Sequence, residues 1–441
     1  MSRKSVCLIF LIVCAAVLAC AMYRDIRYGN VFSYDLRNRV VGARLEKDGK
    51  IPYFYKWRQG DGIRYYDAQN FDSVAVSNIT ATPFFHQLLY PLAEWDEQEI
   101  NGWWLFFEYL MLILMAAMAF SLAGTDWQRG AVLVVTCLFL LTDAWKMHIY
   151  RGQNYIFIPF FAMVCYFFLR QRPTVFHALI AGTMAALLIF IRPNAIFFFV
   201  PFLFLLNSYN RRYWSFFLAP LLLLTIWTVA GKQERSLWQD YRLAMSEQIK
   251  IHQDLGPIRQ RNAPDPGYPR WEGINVQVRD SMEVKDPIKI YSENGNVFVL
   301  FSNFLHRKIS YPLLFILSLC CISLLTALFY FYTVRKGYHD LAGIVILGYC
   351  LYMLSDLFSP VYRHQYYTVQ WIFPMLLAAA MVQSRLKWPF VLILTGLLLN
   401  ISKIGPIRMQ HTLGEYLILT ALILLSFLPA MGGGPTLQKS M

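Results

Sequence analysis

Neither of the two long polar stretches of this chain, 23–101 and 231–310, contains a cysteine. All eight cysteines (Cys7, Cys14, Cys20, Cys137, Cys165, Cys320, Cys321 and Cys350) fall within apolar runs. That placement excludes a disulfide framework and a zinc-ligand spacing, and each is read as a small buried hydrophobe. Charge is scarce too, at 15% of 441 residues. No group of carboxylates or histidines has metal-ligand spacing, and the stretch Asp61-Gly-Ile-Arg-Tyr-Tyr-Asp67 lacks the further ligands of a calcium loop. No metal and no cofactor is therefore expected. The absence of a visible internal repeat counts against transporters built from repeated halves.

What is abundant is apolar. Hydrophobic residues make up 57% of the chain, and runs such as Ala131–Leu141, Tyr155–Leu169, Tyr311–Val334 and Phe390–Leu399 are nearly free of charge. A membrane span needs roughly 20 such residues. Apolar segments bounded by charge, Pro or Gly number about twelve, which implies an all-α polytopic membrane protein. The first of them, within 1–22, is read as an uncleaved helix. A polar region, 23–101, follows it, and spans two to seven occupy 102–230. The second polar region covers 231–310, spans eight to twelve occupy 311–430, and 431–441 forms a tail. The segment 194–207 is short enough to be a re-entrant half helix.

The net charge of +13 could suggest a nucleic-acid partner, but its distribution points to the lipid bilayer instead. With twelve spans, one set of short loops and termini holds twelve Lys and Arg and the opposite set six. By the positive-inside rule both termini are then cytoplasmic, and both long loops face outward. Those loops carry 22 basic and 21 acidic residues, close to balance, and no nucleic acid is expected as a partner.

The first outward loop is too rich in Tyr, Trp and Phe for a disordered linker. Leu36–Lys47 reads as an amphipathic helix in which Val40, Val41, Ala43 and Leu45 alternate with Arg37, Arg39 and Arg44, lying on the membrane or on the bundle. In the second loop, Arg235–His252 reads as a helix with the stripe Trp238, Tyr241, Met245 and Ile249, followed by a turn-rich stretch over 256–271. Three outward ends are unusually polar: Asp143–Asn154, Ile191–Asn194 and Asp356–Gln365. Ionisable residues at membrane depth are costly and are kept for pairing or for function, so these ends are expected to converge on one cavity.

Several residues carry two readings. Asp35 is either a first-turn acid complementing a helix dipole or a general base. Arg192 either snorkels to the interface or grips a phosphate through parallel hydrogen bonds. Arg363 and His364 are interfacial residues or a phosphate-binding pair, with Tyr366 as a belt aromatic or a substrate contact. Gln153 and Asn154 form an ordinary turn and cap or offer amide donors to substrate. His86, between Pro83 and Pro91, is a structural histidine or a substrate ligand.

Taken in order, these pieces resemble the GT-C superfamily of membrane glycosyltransferases. Within that superfamily they look like family 87, the polyprenyl-phosphate-sugar-dependent mannosyltransferases and their relatives. The likeness rests on Asp35-Leu-Arg with Gly42-Ala43, Gly49 and Tyr53, then Thr82-Pro-Phe with Leu88-Leu-Tyr-Pro91. It continues through Gly152-Gln153-Asn154, Ala181-Gly182 with Ile191-Arg192-Pro193, and Ser359-Pro360 with His364-Gln-Tyr366 and Pro374, covering about residues 6–400. The resemblance implies a GT-C-type bundle and an inverting transfer of a mannose-like hexose from a polyprenyl-phosphate donor to a glycolipid or glycan acceptor. Asp35 matches the family's catalytic base. Arg192, Arg363 and His364 would hold the donor phosphate, and His86, Gln153, Asn154 and Tyr366 would contact substrate. It further implies a bacterial inner membrane with the site facing the periplasm or exterior. Relatives commonly carry Lys where this chain has Arg192. The element Gly60-Asp61-Gly with Tyr65-Tyr66 resembles an acidic motif of other GT-C-like proteins, which makes Asp61 a second candidate base. The rival class is a carrier of lipid-linked or anionic solutes.

Overall fold

The computed structural model describes residues 3–29, 33–53, 55, 57, 59–67, 79–253, 295–305, 309–338, 340–361, 363–382, 387–401 and 409–428. Their regular structure is helical, without a strand. The turn-rich stretch expected over 256–271 lies outside the described residues.

The first elements are α1 (Arg3–Gly29), α2 (Tyr34–Lys47), α3 (Pro83–Leu88) and α4 (Glu97–Leu122). The Asp96 carboxylate accepts from the Gln98 and Glu99 amides at 2.8 and 2.9 Å and so starts α4. A Thr125–Gln128 capping box starts α5 (Asp126–Leu141). At Thr142 the chain is extended and its Oγ1 caps α6 (Asp143–Arg151), which leaves α5 and α6 bent by 58°. Next come α7 (Phe157–Leu169) and α8 (Val175–Ile191). Pro193 disfavours helical geometry at Arg192, so α8 ends there and a 3₁₀ segment, Pro193–Leu205, follows with Pro201 inside it.

The rest comprises α9 (Arg211–Ala230), α10 (Lys232–Gln253), α11 (Val297–Leu305), α12 (Tyr311–Phe329) and α13 (Leu341–Leu357). A 3₁₀ segment, Gln365–Trp371, then leads into α14 (Ile372–Met381), α15 (Lys387–Leu399) and α16 (Gln410–Phe427).

The main core runs through α4–α8, α13, α14 and α16, where α13 and α14 are buried on nearly every face. Close approach needs small residues: a Cβ on Gly348 would meet the Phe198 carbonyl oxygen at 2.2 Å, so only glycine lets α13 sit against the 3₁₀ segment Pro193–Leu205. On the periphery the pattern inverts. Leu222, Leu223, Ile226 and Val229 of α9 and Leu313, Phe315, Ile316 and Leu324 of α12 are all exposed. Such surfaces suit a lipid solvent.

Among the described residues, Glu97–Leu122, Arg211–Ala230, Tyr311–Val334 and Gln410–Phe427 are long and apolar enough to cross a membrane, and the bent α5–α6 pair would make a fifth span. The sequence reading expects about twelve spans. The difference has a structural cause: other apolar segments, including Phe157–Leu169, Val175–Ile191, Pro193–Leu205 and Leu341–Leu357, are helices of 10–17 residues. The protein is an all-α polytopic membrane protein.

One end of the bundle is covered by α2, α3 and α10. Leu36, Val40 and Ala43 of α2 pack with Phe84 and Phe85 of α3, Trp104 of α4 and Phe190 of α8. The opposite side of α2 is not simply polar, because Arg44 is also buried. Its guanidinium donates to the carbonyls of Ala93, Arg64 and Trp95 at 2.8, 3.1 and 2.9 Å, which offsets the cost of desolvation. The helix is thus an internal packing element with a satisfied buried cation.

Candidate active site

The C-terminal ends of α6, α8 and α13 and the N-terminal ends of α2, α7 and α12 meet around a cavity of about 1690 Å³. All three polar ends singled out in the sequence line it, and Trp238, Tyr241, Met245 and Ile249 of α10 form part of its wall. That set is the stripe expected from helical spacing.

On one side lies Asp35, in the first turn of α2 and half-buried. Its Oδ2 accepts from the Gln153 Nε2, and the Gln153 Oε1 accepts from Arg39 at 2.5 Å. Arg39 also donates to the Asp35 carbonyl at 2.8 Å. Gly152 makes this approach possible. It ends α6 at φ 62°, and a Cβ there would lie 2.6 Å from the Cβ atoms of Ser33 and Leu36.

Facing it are two guanidinium groups joined by a carboxylate. Asp356 accepts from Arg192 through Oδ1 and from Arg363 through Oδ2, the latter at 2.8 Å. Arg363 continues to Glu415 at 2.7 Å, and the other Glu415 oxygen accepts from the Trp371 indole at 2.7 Å. Four alternating charges thus run from the cavity into the core, where pairing offsets the desolvation of each. Arg192 Nε and Arg363 Nη2 are buried without a hydrogen-bond partner, so both cations keep donor capacity for an anion. Tyr155 and Tyr367 lie under Arg192, at 5.6 and 5.7 Å from ring centroid to guanidinium carbon.

His364 stacks on Tyr366 with ring centroids 5.1 Å apart. Burial pushes its imidazole below the usual 6.5, the nearby Asp35 carboxylate pulls it back up, and Arg151 pushes it down. Asp35 and His364 line the same cavity.

Of the candidate residues, Asp35, Gln153, Asn154, Arg192, Arg363, His364 and Tyr366 all line this cavity. Asp61 and His86 are not among its lining residues. Asp61 lies in a 3₁₀ turn, Gln59–Asp61, and accepts from the Tyr55 hydroxyl at 2.6 Å. His86 is fully buried, 3.3 Å from the Glu46 carboxylate and against Gly42, where a Cβ would sit 2.5 Å from its Nε2. Glu415 escaped the sequence reading, although it is the one acid in the apolar run 413–430, a signal that could have found it. Among the described residues no group of His, Cys, Asp and Glu is arranged to hold a metal ion.

Residues 80–263, an interval that begins just before α3 and includes α10, match the model of glycosyltransferase family 87. That interval includes Gln153, Asn154 and Arg192, while Asp35, Asp356 and Arg363 lie outside it. Neither the curated proteins nor the solved structures yield a match. That match covers less than half of the chain, and over it the apolar, helical protein is similar to glycosyltransferase family 87.

Proposed function

We propose that the protein transfers a mannose-like hexose from a polyprenyl-phosphate donor to a hydroxyl of a glycolipid or glycan acceptor, with inversion, using Asp35 as general base. The reading rests on one observation above all: a half-buried carboxylate and two arginines with unused donors line the same cavity.

The chemistry follows from charge. The Asp35 carboxylate takes the proton of an acceptor hydroxyl as its oxygen bonds to the anomeric carbon. The bond from that carbon to the phosphate oxygen breaks, and the electron pair leaves with the phosphate. A monoanionic phosphodiester becomes a dianionic polyprenyl phosphate, so negative charge grows at the phosphate during the step. Arg192 and Arg363 would hold that growing charge, and donors already fixed in place stabilise it without reorganisation. A neutral His364 imidazole would add one N–H donor. The tyrosines and Trp238 of the wall suit stacking on sugar faces. Phe315 of α12 lines the cavity, on a helix whose exposed Leu313, Ile316 and Leu324 suit lipid, which supports a donor whose prenyl chain stays in the bilayer.

On this reading the cavity opens on the outer face of a bacterial inner membrane, in keeping with the charge bias of the short loops. The test is sugar transfer from a synthetic polyprenyl-phosphate mannose by the purified protein and its Asp35→Asn and Asp61→Asn variants. Activity lost in Asp35→Asn and kept in Asp61→Asn is expected. Full activity in Asp35→Asn would remove Asp35 as the base.

A further inference from the structure

The amide of Gln153 donates a hydrogen bond to the candidate base, and its surroundings leave little room for a substrate. The residue is 2% exposed. Its backbone N–H donates to the His148 carbonyl at 3.0 Å, and its carbonyl accepts from the Trp104 indole at 3.3 Å. Its side chain is engaged at both ends, by Arg39 and by Asp35.

The polarity of that chain is dictated by chemistry. A guanidinium only donates, so the amide oxygen must face Arg39. The amide nitrogen is then turned to Asp35, where it can only donate. Arg39 closes the arrangement from the other side, because the same guanidinium holds the Asp35 backbone carbonyl. The carboxylate is fixed through one oxygen, Oδ2, and among the described residues Oδ1 accepts no hydrogen bond. A base needs that division: one oxygen to set its direction and one to take the proton.

We propose that Gln153 is a positioning residue for the Asp35 carboxylate, oriented in turn by Arg39, and that it does not bind substrate. The proposal rests on Asp35 being the base. It assigns a purpose to Gly152 as well, since only glycine brings Gln153 this close to the start of α2. Misplacing a reacting group by about 1 Å can cost on the order of a hundredfold in rate.

The experiment measures kcat, KM for donor and acceptor, and the pH dependence of kcat. It uses purified full-length protein with synthetic polyprenyl-phosphate mannose, for wild type, Gln153→Ala, Gln153→Glu, Asp35→Asn and the double variant Asp35→Asn/Gln153→Ala. Gln153→Ala is expected to lower kcat about 10- to 100-fold with both KM values nearly unchanged, the signature of an interaction that acts on the transition state. Added to Asp35→Asn it should cost nothing further, because the group it aims is gone. Gln153→Glu sets a second carboxylate beside the base and should move the acidic limb of the kcat profile upward by about one pH unit.

A Gln153→Ala enzyme with raised KM and wild-type kcat would make Gln153 a substrate ligand and overturn the proposal. So would full additivity in the double variant. Wild-type kcat in Asp35→Asn removes the base reading, and the positioning role with it. An inactive Asp35→Asn beside a fully active Gln153→Ala removes the positioning role alone. Should Gln153→Ala not fold, Gln153→Glu carries the decision, and an unmoved acidic limb counts against the proposal.

Discussion

The two sides of the cavity are built in opposite ways. Asp35 is half-buried and held through one carboxylate oxygen by a neutral amide. Arg363 is 3% exposed and is clamped between two carboxylates, one of which is tied to an indole. The contrast matches what each side does in the proposed reaction. A base must exchange a proton with an incoming hydroxyl, so it needs a free oxygen and access. A charge stabiliser must stay where it is while charge develops, so it gains from a rigid, water-poor setting. Such a setting is costly for isolated cations, and Asp356 and Glu415 compensate by pairing with them.

Four substitutions can break or sharpen that contrast. The largest effect is expected at the open side, where Asp35→Asn should lower kcat by roughly 10²–10⁴-fold, the usual worth of a general base, with little change in melting temperature. At the buried side the ranking of effects reverses. Glu415→Ala leaves Arg363 half-paired in the core and should cost about 3–5 kcal/mol of stability, read by thermal unfolding in detergent. If Glu415→Ala melts like wild type, the ladder of charges is not what holds Arg363.

Arg192→Lys is expected to be milder. It keeps the charge but loses the planar fork, and the KM for donor should rise about tenfold while the protein stays folded.

The smallest effect concerns His364. Because burial holds its folded-state value below 6.5, the unfolded chain takes up the proton first. The stability linked to His364 is therefore complete above about pH 6.5 and is lost as the pH falls below it. His364→Gln should flatten that part of the melting curve against pH. An unchanged acid slope would show that other groups set it.

Local patterns carried much of this in advance. Spacing in Arg235–His252 predicts a helix with Trp238, Tyr241, Met245 and Ile249 on one face, and the helix Lys232–Gln253 turns those four to the cavity. Alternation in Leu36–Lys47 predicts a helix, which is found over Tyr34–Lys47, but it places Arg44 on a polar face. Periodicity assigns faces by residue type, and Arg44 is buried because three carbonyls from other segments satisfy it. The span count was less legible, since apolar length in sequence says nothing about the bend at Thr142.

The sequence by itself determined that this is an all-α membrane protein, and it marked the polar ends that meet at the cavity. Charge is expensive among apolar helices, so the few charges retained there stand out. Only the tertiary structure decided who pairs with whom. Gln153 reaches Asp35 across 118 positions, Arg192 reaches Asp356 across 164, and Glu415 reaches Arg363 across 52. Those pairings come from helices packing side by side, guided by close approaches such as Gly348 on Phe198 and Gly152 on Leu36. Periodicity along a chain records which face is buried, and it carries no record of the residue waiting on the other helix.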